Sequence, residues 1–131
     1  LRFRYYKIKI IQKWNNNMFD FKVEKLEDVV LFIIIGNFTF ERKDAVYKEF
    51  DKYLKQNIRK FIFDLSKTEY MDSSGVGTIL MGASFVNRFG ERIKVVGDSQ
   101  VIENFKCLKV DKYVGFYKEM NEALESFAKP L

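Results

Sequence analysis

The chain has 131 residues, 47% hydrophobic and 17% aromatic, enough for one globular domain with a full core. Its charge of +5 is local in origin: Arg2, Arg4, Lys7, Lys9 and Lys13 precede every acidic residue, and without those five the 23 basic residues fall to 18, against 18 acidic ones. With no histidine and a single cysteine, Cys107, the chain cannot build a Ser-His-Asp or Cys-His catalytic set, an internal disulfide, or a histidine-ligated zinc or haem site.

Along the chain, "LRFRYYKIKIIQKWNNN" is cationic and aromatic and ends in Asn15 to Asn17, in contrast to the charge-balanced residues from Met18 onward. Residues 1–17 therefore read as a basic N-terminal extension ahead of a domain over residues 18–131. The extension is an upstream appendage, an added strand or arm, or a segment lying on an anionic membrane surface. The balanced body gives no reason to expect direct DNA binding. The longest apolar run, "VVLFIII", is strand-length, so no stable membrane insertion is expected. The start lacks the apolar core and cleavage site of a secretory signal. A reducing, cytoplasmic setting fits the lone Cys107, which reads as a small buried hydrophobe among the apolar residues of "VIENFKCLKV".

"FDFKVEKLEDVVLFIIIGNF" gives two β-rich runs separated by "EKLED", a hairpin signal, with Gly36-Asn37 breaking the second run. "ERKDAVYKEFDKYLKQN" places Ala45, Val46, Phe50, Tyr53 and Leu54 at spacings of three and four, one face of an amphipathic helix. "KFIFDL" suits a buried strand, "SKTEYMD" reads as the loop after it, and Val76, Ile79, Leu80, Ala83 and Val86 give the next helix its core face. "RIKVVG" is a strand stopped by Gly97-Asp98-Ser99, with Ser99 expected to cap a helix over "QVIENFKCL". "YVGFY" is a last short strand, and Met120, Ala123, Leu124 and Phe127 mark a terminal helix. A hairpin followed by alternating helices and strands predicts a single α/β domain, a mixed, largely parallel sheet with about four helices.

The chemically distinctive stretch is "EYMDSSGVG", beyond the strand "KFIFDL", at the strand end where α/β sheets collect functional groups. Asp72 or Ser73 can cap the helix. Glycines 75 and 77 each cost about 1 kcal/mol against alanine in a helix interior, so packing against a strand or close approach by a partner must compensate. A phosphate cradle is a rival reading, but "GVG" lacks the lysine and spacing of the Walker pattern. The remaining possibility is a serine that receives a phosphate, which a helix N-terminus stabilises while about −1.5 to −2 of charge is added to the surface.

"KFIFDLSKTEYMDSSGVGTIL", with "VVLFIIIGNF" before it and "RIKVVGDSQVIENFKCLKVDKYVGFYKEMNEALESF" after it, resembles the STAS domain (sulfate transporter and anti-sigma factor antagonist). The resemblance runs from about Met18 to Phe127 and is strongest to single-domain bacterial anti-sigma factor antagonists. It implies a non-enzymatic partner switch, with no cofactor or metal. The unphosphorylated form binds an anti-sigma factor that is also a serine kinase. Phosphorylation of the serine after the motif aspartate, here Ser73 with Ser74 as second candidate, breaks the complex, and a PP2C-type phosphatase restores it. Asp72, Ser74, Gly75, Val76 and Gly77 would form the contact surface around Ser73. Thr39, in "GNFTF", stands where family members often carry an aspartate, and Asn37 where they carry a glutamate. Alternatives within reach of the same residues are a scaffold-type STAS subunit of a stress-signalling or lipid-transport complex and a nucleotide-binding or hydrolysing module.

Overall fold

The computed structural model describes residues 5–13, 19–106 and 108–128; Cys107 lies outside them. Six strands, β1 (Tyr5–Lys13), β2 (Phe19–Leu26), β3 (Val29–Phe38), β4 (Lys60–Met71), β5 (Ile93–Val96) and β6 (Val114–Tyr117), lie in one sheet in chain order. The β1–β2 and β2–β3 pairs are antiparallel and the remaining three are parallel. Helices α1 (Lys43–Leu54), α2 (Ser73–Asn87) and α3 (Ser99–Lys106) connect the parallel strands, and α4 (Met120–Ala128) follows the last. The α/β architecture is the expected one. Part of the cationic N-terminal stretch, as β1, is hydrogen-bonded along β2 and widens the sheet at its edge. No helix among the described residues is long and apolar enough to cross a membrane.

Alternation along the strands divides the core. Phe21, Phe32, Phe61 and Phe63 point to the face covered by α1, α2 and α3, where Phe50 of α1 and Ile79 and Ala83 of α2 meet them. Leu31, Ile62 and Val96 point the other way, under Ala123 and Leu124 of α4. Burying three helix faces on one side and one on the other leaves α1 and α2 side by side, with Gly82 turned to the ring of Phe50. A Cβ at Gly82 would come within 2.7 Å of that ring, so glycine sets how closely the two helices approach.

Three expectations change. "SKTEYM" is not a loop: β4 continues through it to Met71, pairing Lys67 with Ile35, Thr68 with Gly36 and Met71 with Phe38. Two register irregularities, between Ile33 and Ile35 and between Gly36 and Asn37, put extra β4 residues opposite β3 and break the period of two that marks a strand in sequence. Asp64 supports the first by accepting from the Ser66 amide (3.0 Å) and hydroxyl (2.7 Å). β5 reaches only Ile62 to Asp64, so the outer half of β4 has a neighbour on one side and carries the polar residues of a loop. Secondly, Gly36-Asn37 does not end β3. Gly36 adopts φ 88°, which glycine accommodates, and the strand runs on to Phe38. Thirdly, the cap of α3 is Asp98 rather than Ser99. The Asp98 side chain accepts from the Val101 amide (3.0 Å) and its carbonyl from the Ile102 amide (3.1 Å). The hairpin turn between β2 and β3 falls at Glu27-Asp28, with Glu27 at φ 56°.

Candidate functional site

Asp72 follows β4 in extended conformation and caps α2. Its Oδ1 accepts from the amides of Ser74 (2.9 Å) and Gly75 (3.0 Å). Its Oδ2 accepts from the amide of Phe40 at 3.0 Å, 32 residues away in the chain. The Asp72 amide in turn donates to the Phe38 carbonyl at 3.4 Å. One aspartate thus fastens the end of β3 to the start of α2, and with it the turn Phe40–Arg42 that leads into α1. Thr39 lies in this corner: its hydroxyl donates to Glu41 Oε1 at 3.0 Å.

The two motif glycines have different reasons to be there. Gly75 is buried, and a Cβ on it would lie 2.3 Å from the Phe38 carbonyl oxygen, so only glycine lets α2 start this close to β3. Gly77 is exposed, and a Cβ placed on it would meet no heavy atom within 4 Å, so nothing inside the domain requires glycine there. Val76 is buried in the main core. Of the residues expected around Ser73, Gly75 and Val76 face inward, Ser74 and Asp72 are half-buried, and Ser73 and Gly77 face solvent. Exposed positions on a helix recur every three or four residues, which is why the motif cannot present all its residues outward.

Asp72 also bears on the phosphate-cradle reading. The Ser74 and Gly75 amides, which such a cradle would use, already hold a carboxylate. Ser73, at the first position of α2, is exposed, and its hydroxyl makes no hydrogen bond to a described residue. Two exposed aromatics flank this end of the molecule: Phe40 at 62% exposure, directly bonded through its amide to Asp72, and Tyr70 at 58%, two residues before it. The ammonium of Lys43 lies 5.1 Å from the Phe40 ring centre. Sequence reasoning did not single out either aromatic. The one signal available was that each falls outside the periodic core pattern of its neighbours.

The corner thus presents a solvent-facing serine at a helix start held by Asp72. The STAS domain family model matches residues 20–123, from β2 into α4 and across the whole corner. The chain belongs to the STAS domain family. This STAS domain is 28% identical over 110 residues to a candidate anti-sigma factor antagonist of Thermotoga neapolitana, the TM1081 homolog, a match covering 82% of this chain and 96% of that protein. The crystal structure of TM1081 from Thermotoga maritima superposes with a TM-score of 0.76 at 23% identity, covering 83% of this chain and 95% of that one. SpoIIAA, an anti-sigma factor antagonist, superposes in its unphosphorylated form with a TM-score of 0.69 at 15% identity, covering 85% of this chain and 99% of its own. Its phosphorylated form, from Bacillus, gives 0.67 at 16%, covering 82% and 98%. At these identities the superpositions establish a shared fold.

Proposed function

We propose that this STAS domain is an anti-sigma factor antagonist: a non-enzymatic switch that binds an anti-sigma factor serine kinase through the α2 corner and lets go when Ser73 is phosphorylated. The observation that carries this reading is the Ser73 hydroxyl, exposed and without a hydrogen bond to the described residues, at the first position of a helix braced by Asp72. The name of the Thermotoga neapolitana relative and the two phosphorylation states in which SpoIIAA has been solved support it.

In the unmodified state Ser73 and Gly77, with Thr39, Phe40 and Tyr70 beside them, meet the kinase; Gly75 and Val76 hold this surface in place from beneath. The kinase transfers the γ-phosphoryl group of ATP to Ser73 Oγ, ADP leaves, and the hydroxyl proton passes to a base of the kinase. The product adds about −1.5 to −2 of charge beside the Asp72 carboxylate. Asp72 already uses the nearest α2 amides, so the new charge stays on the contact face and repels the partner without unfolding the domain. A PP2C-type phosphatase hydrolyses the ester and restores binding. Thr39 carries no charge itself, but it holds Glu41, so this chain keeps a carboxylate at the corner. This exchange belongs in the cytoplasm, where ATP and sigma factors are found.

The test combines variants with site mapping. Ser73→Ala should fold and bind the kinase constitutively, and Ser73→Asp should weaken the complex. After incubation with an anti-sigma factor kinase and ATP, mass spectrometry should place one phosphate on Ser73. Phosphate on Ser74 alone, or none from an active kinase, defeats the site assignment; a complex indifferent to Ser73→Asp favours a scaffold instead.

A further inference from the structure

A second surface lies along the outer side of α1 and α2. Both helices lead from one parallel strand to the next, so they run in the same direction, and the groove between them has a volume of about 330 Å³. Gly82 and Phe50 form its floor, Tyr47 and Met81 its walls, and Arg88 stands at the end where both helices finish. Met81 is 54% exposed and Tyr47 38%, so the groove opens to solvent between two apolar side chains. The charge at its end is unbalanced. Lys55 is paired with Asp51 at 3.0 Å, whereas Arg88, among the described residues, meets no carboxylate and only lies 5.8 Å from the Phe85 ring centre.

We infer that this groove docks an amphipathic helix of a protein partner, running antiparallel to α1 and α2 with a carboxylate in its first turn against Arg88. Apolar side chains at every third or fourth position of such a helix fill the space between Tyr47 and Met81. The antiparallel direction sets the positive N-terminal end of the incoming helix beside the negative C-terminal ends of α1 and α2. An acidic first turn suits both its own helix and the guanidinium. The groove is separate from the Ser73 corner, and the inference stands whether or not Ser73 is a phosphorylation site.

The probe is a model helix of leucine and alanine with glutamates in its first turn, together with a twin carrying lysines in place of those glutamates. On titration into the full chain, the acidic peptide should shift the nuclear magnetic resonances of the Met81 methyl and the Gly82 amide. Binding should weaken about tenfold for the lysine twin and for Arg88→Glu, and the lysine twin should recover on Arg88→Glu. Met81→Glu should abolish binding, and Ser73→Asp should leave it unchanged. Met81 is exposed and Arg88 lies at the rim of the groove, and circular dichroism melts would verify that the variants fold. No binding, shifts elsewhere, or equal affinity for the two peptides overturns the proposal. So does self-association in sedimentation that Met81→Glu removes, which would make the occupant a second copy of the chain.

Discussion

Helices α2 and α3 start alike in sequence and differently in space. Each follows a parallel strand, each is capped by an aspartate, Asp72 or Asp98, and each has a serine at its first position, Ser73 or Ser99. At α3 the capping carboxylate accepts from the Val101 amide, and the glycine nearby, Gly97, would bring a Cβ to 3.2 Å from a Val101 methyl and 3.3 Å from its Cβ, a milder overlap than that at Gly75. At α2 the carboxylate takes three amides from two separate segments, and Gly75 sits against a main-chain carbonyl that cannot give. The same capping chemistry therefore makes an ordinary helix start in one place and a braced platform in the other. The difference is the contact with β3.

The two helix starts should respond most differently at their glycines. Gly75→Ala should cost about 3 kcal/mol through overpacking against the Phe38 carbonyl, whereas Gly97→Ala should cost about 1 kcal/mol. Urea unfolding midpoints measure both, and equal losses would show that α2 is not held more rigidly than α3. Next in size, Asp72→Ala should cost about 2 kcal/mol, against about 1 kcal/mol for Asp98→Ala. Amide hydrogen exchange at Phe40 should quicken in Asp72→Ala alone, since the Asp72 carboxylate is its partner.

Gly77 sharpens the contrast by its sign. Its surroundings are open, so Gly77→Ala should stabilise the fold by about 1 kcal/mol. A higher melting temperature combined with weaker partner binding would mark this glycine as retained for contact. The smallest effect is expected at the two serines, where alanine should change stability by no more than about 0.5 kcal/mol. A larger loss in Ser73→Ala than in Ser99→Ala would mean that the Ser73 hydroxyl has a structural task.

Much of the fold was legible because burial obeys simple periods. The apolar spacings of α1, α2 and α4 and the continuous runs of β3 and β4 give both type and core face, and Val76, Ile79, Ala83 and Val86 are buried as their spacing requires. The outer half of β4 was not legible. Its irregular register erases the alternation, and its one-sided pairing permits a polar composition. The cap of α3 was displaced by one residue because Asp98 and Ser99 are chemically equivalent choices, and only the backbone geometry assigns the Val101 amide to one of them.

Sequence alone excluded histidine-based catalysis, set the alternating α/β order and marked "DSSGVG" as the stretch needing explanation, because composition and periodicity are local properties of the chain. Tertiary structure alone separated Gly75 from Gly77, brought Phe40 to Asp72 and opened the groove between α1 and α2. Each of these depends on segments far apart in the chain meeting at ångström separations. Residue spacing cannot encode such an encounter: two glycines two positions apart read the same until one is found beneath the carbonyl of Phe38 and the other facing water.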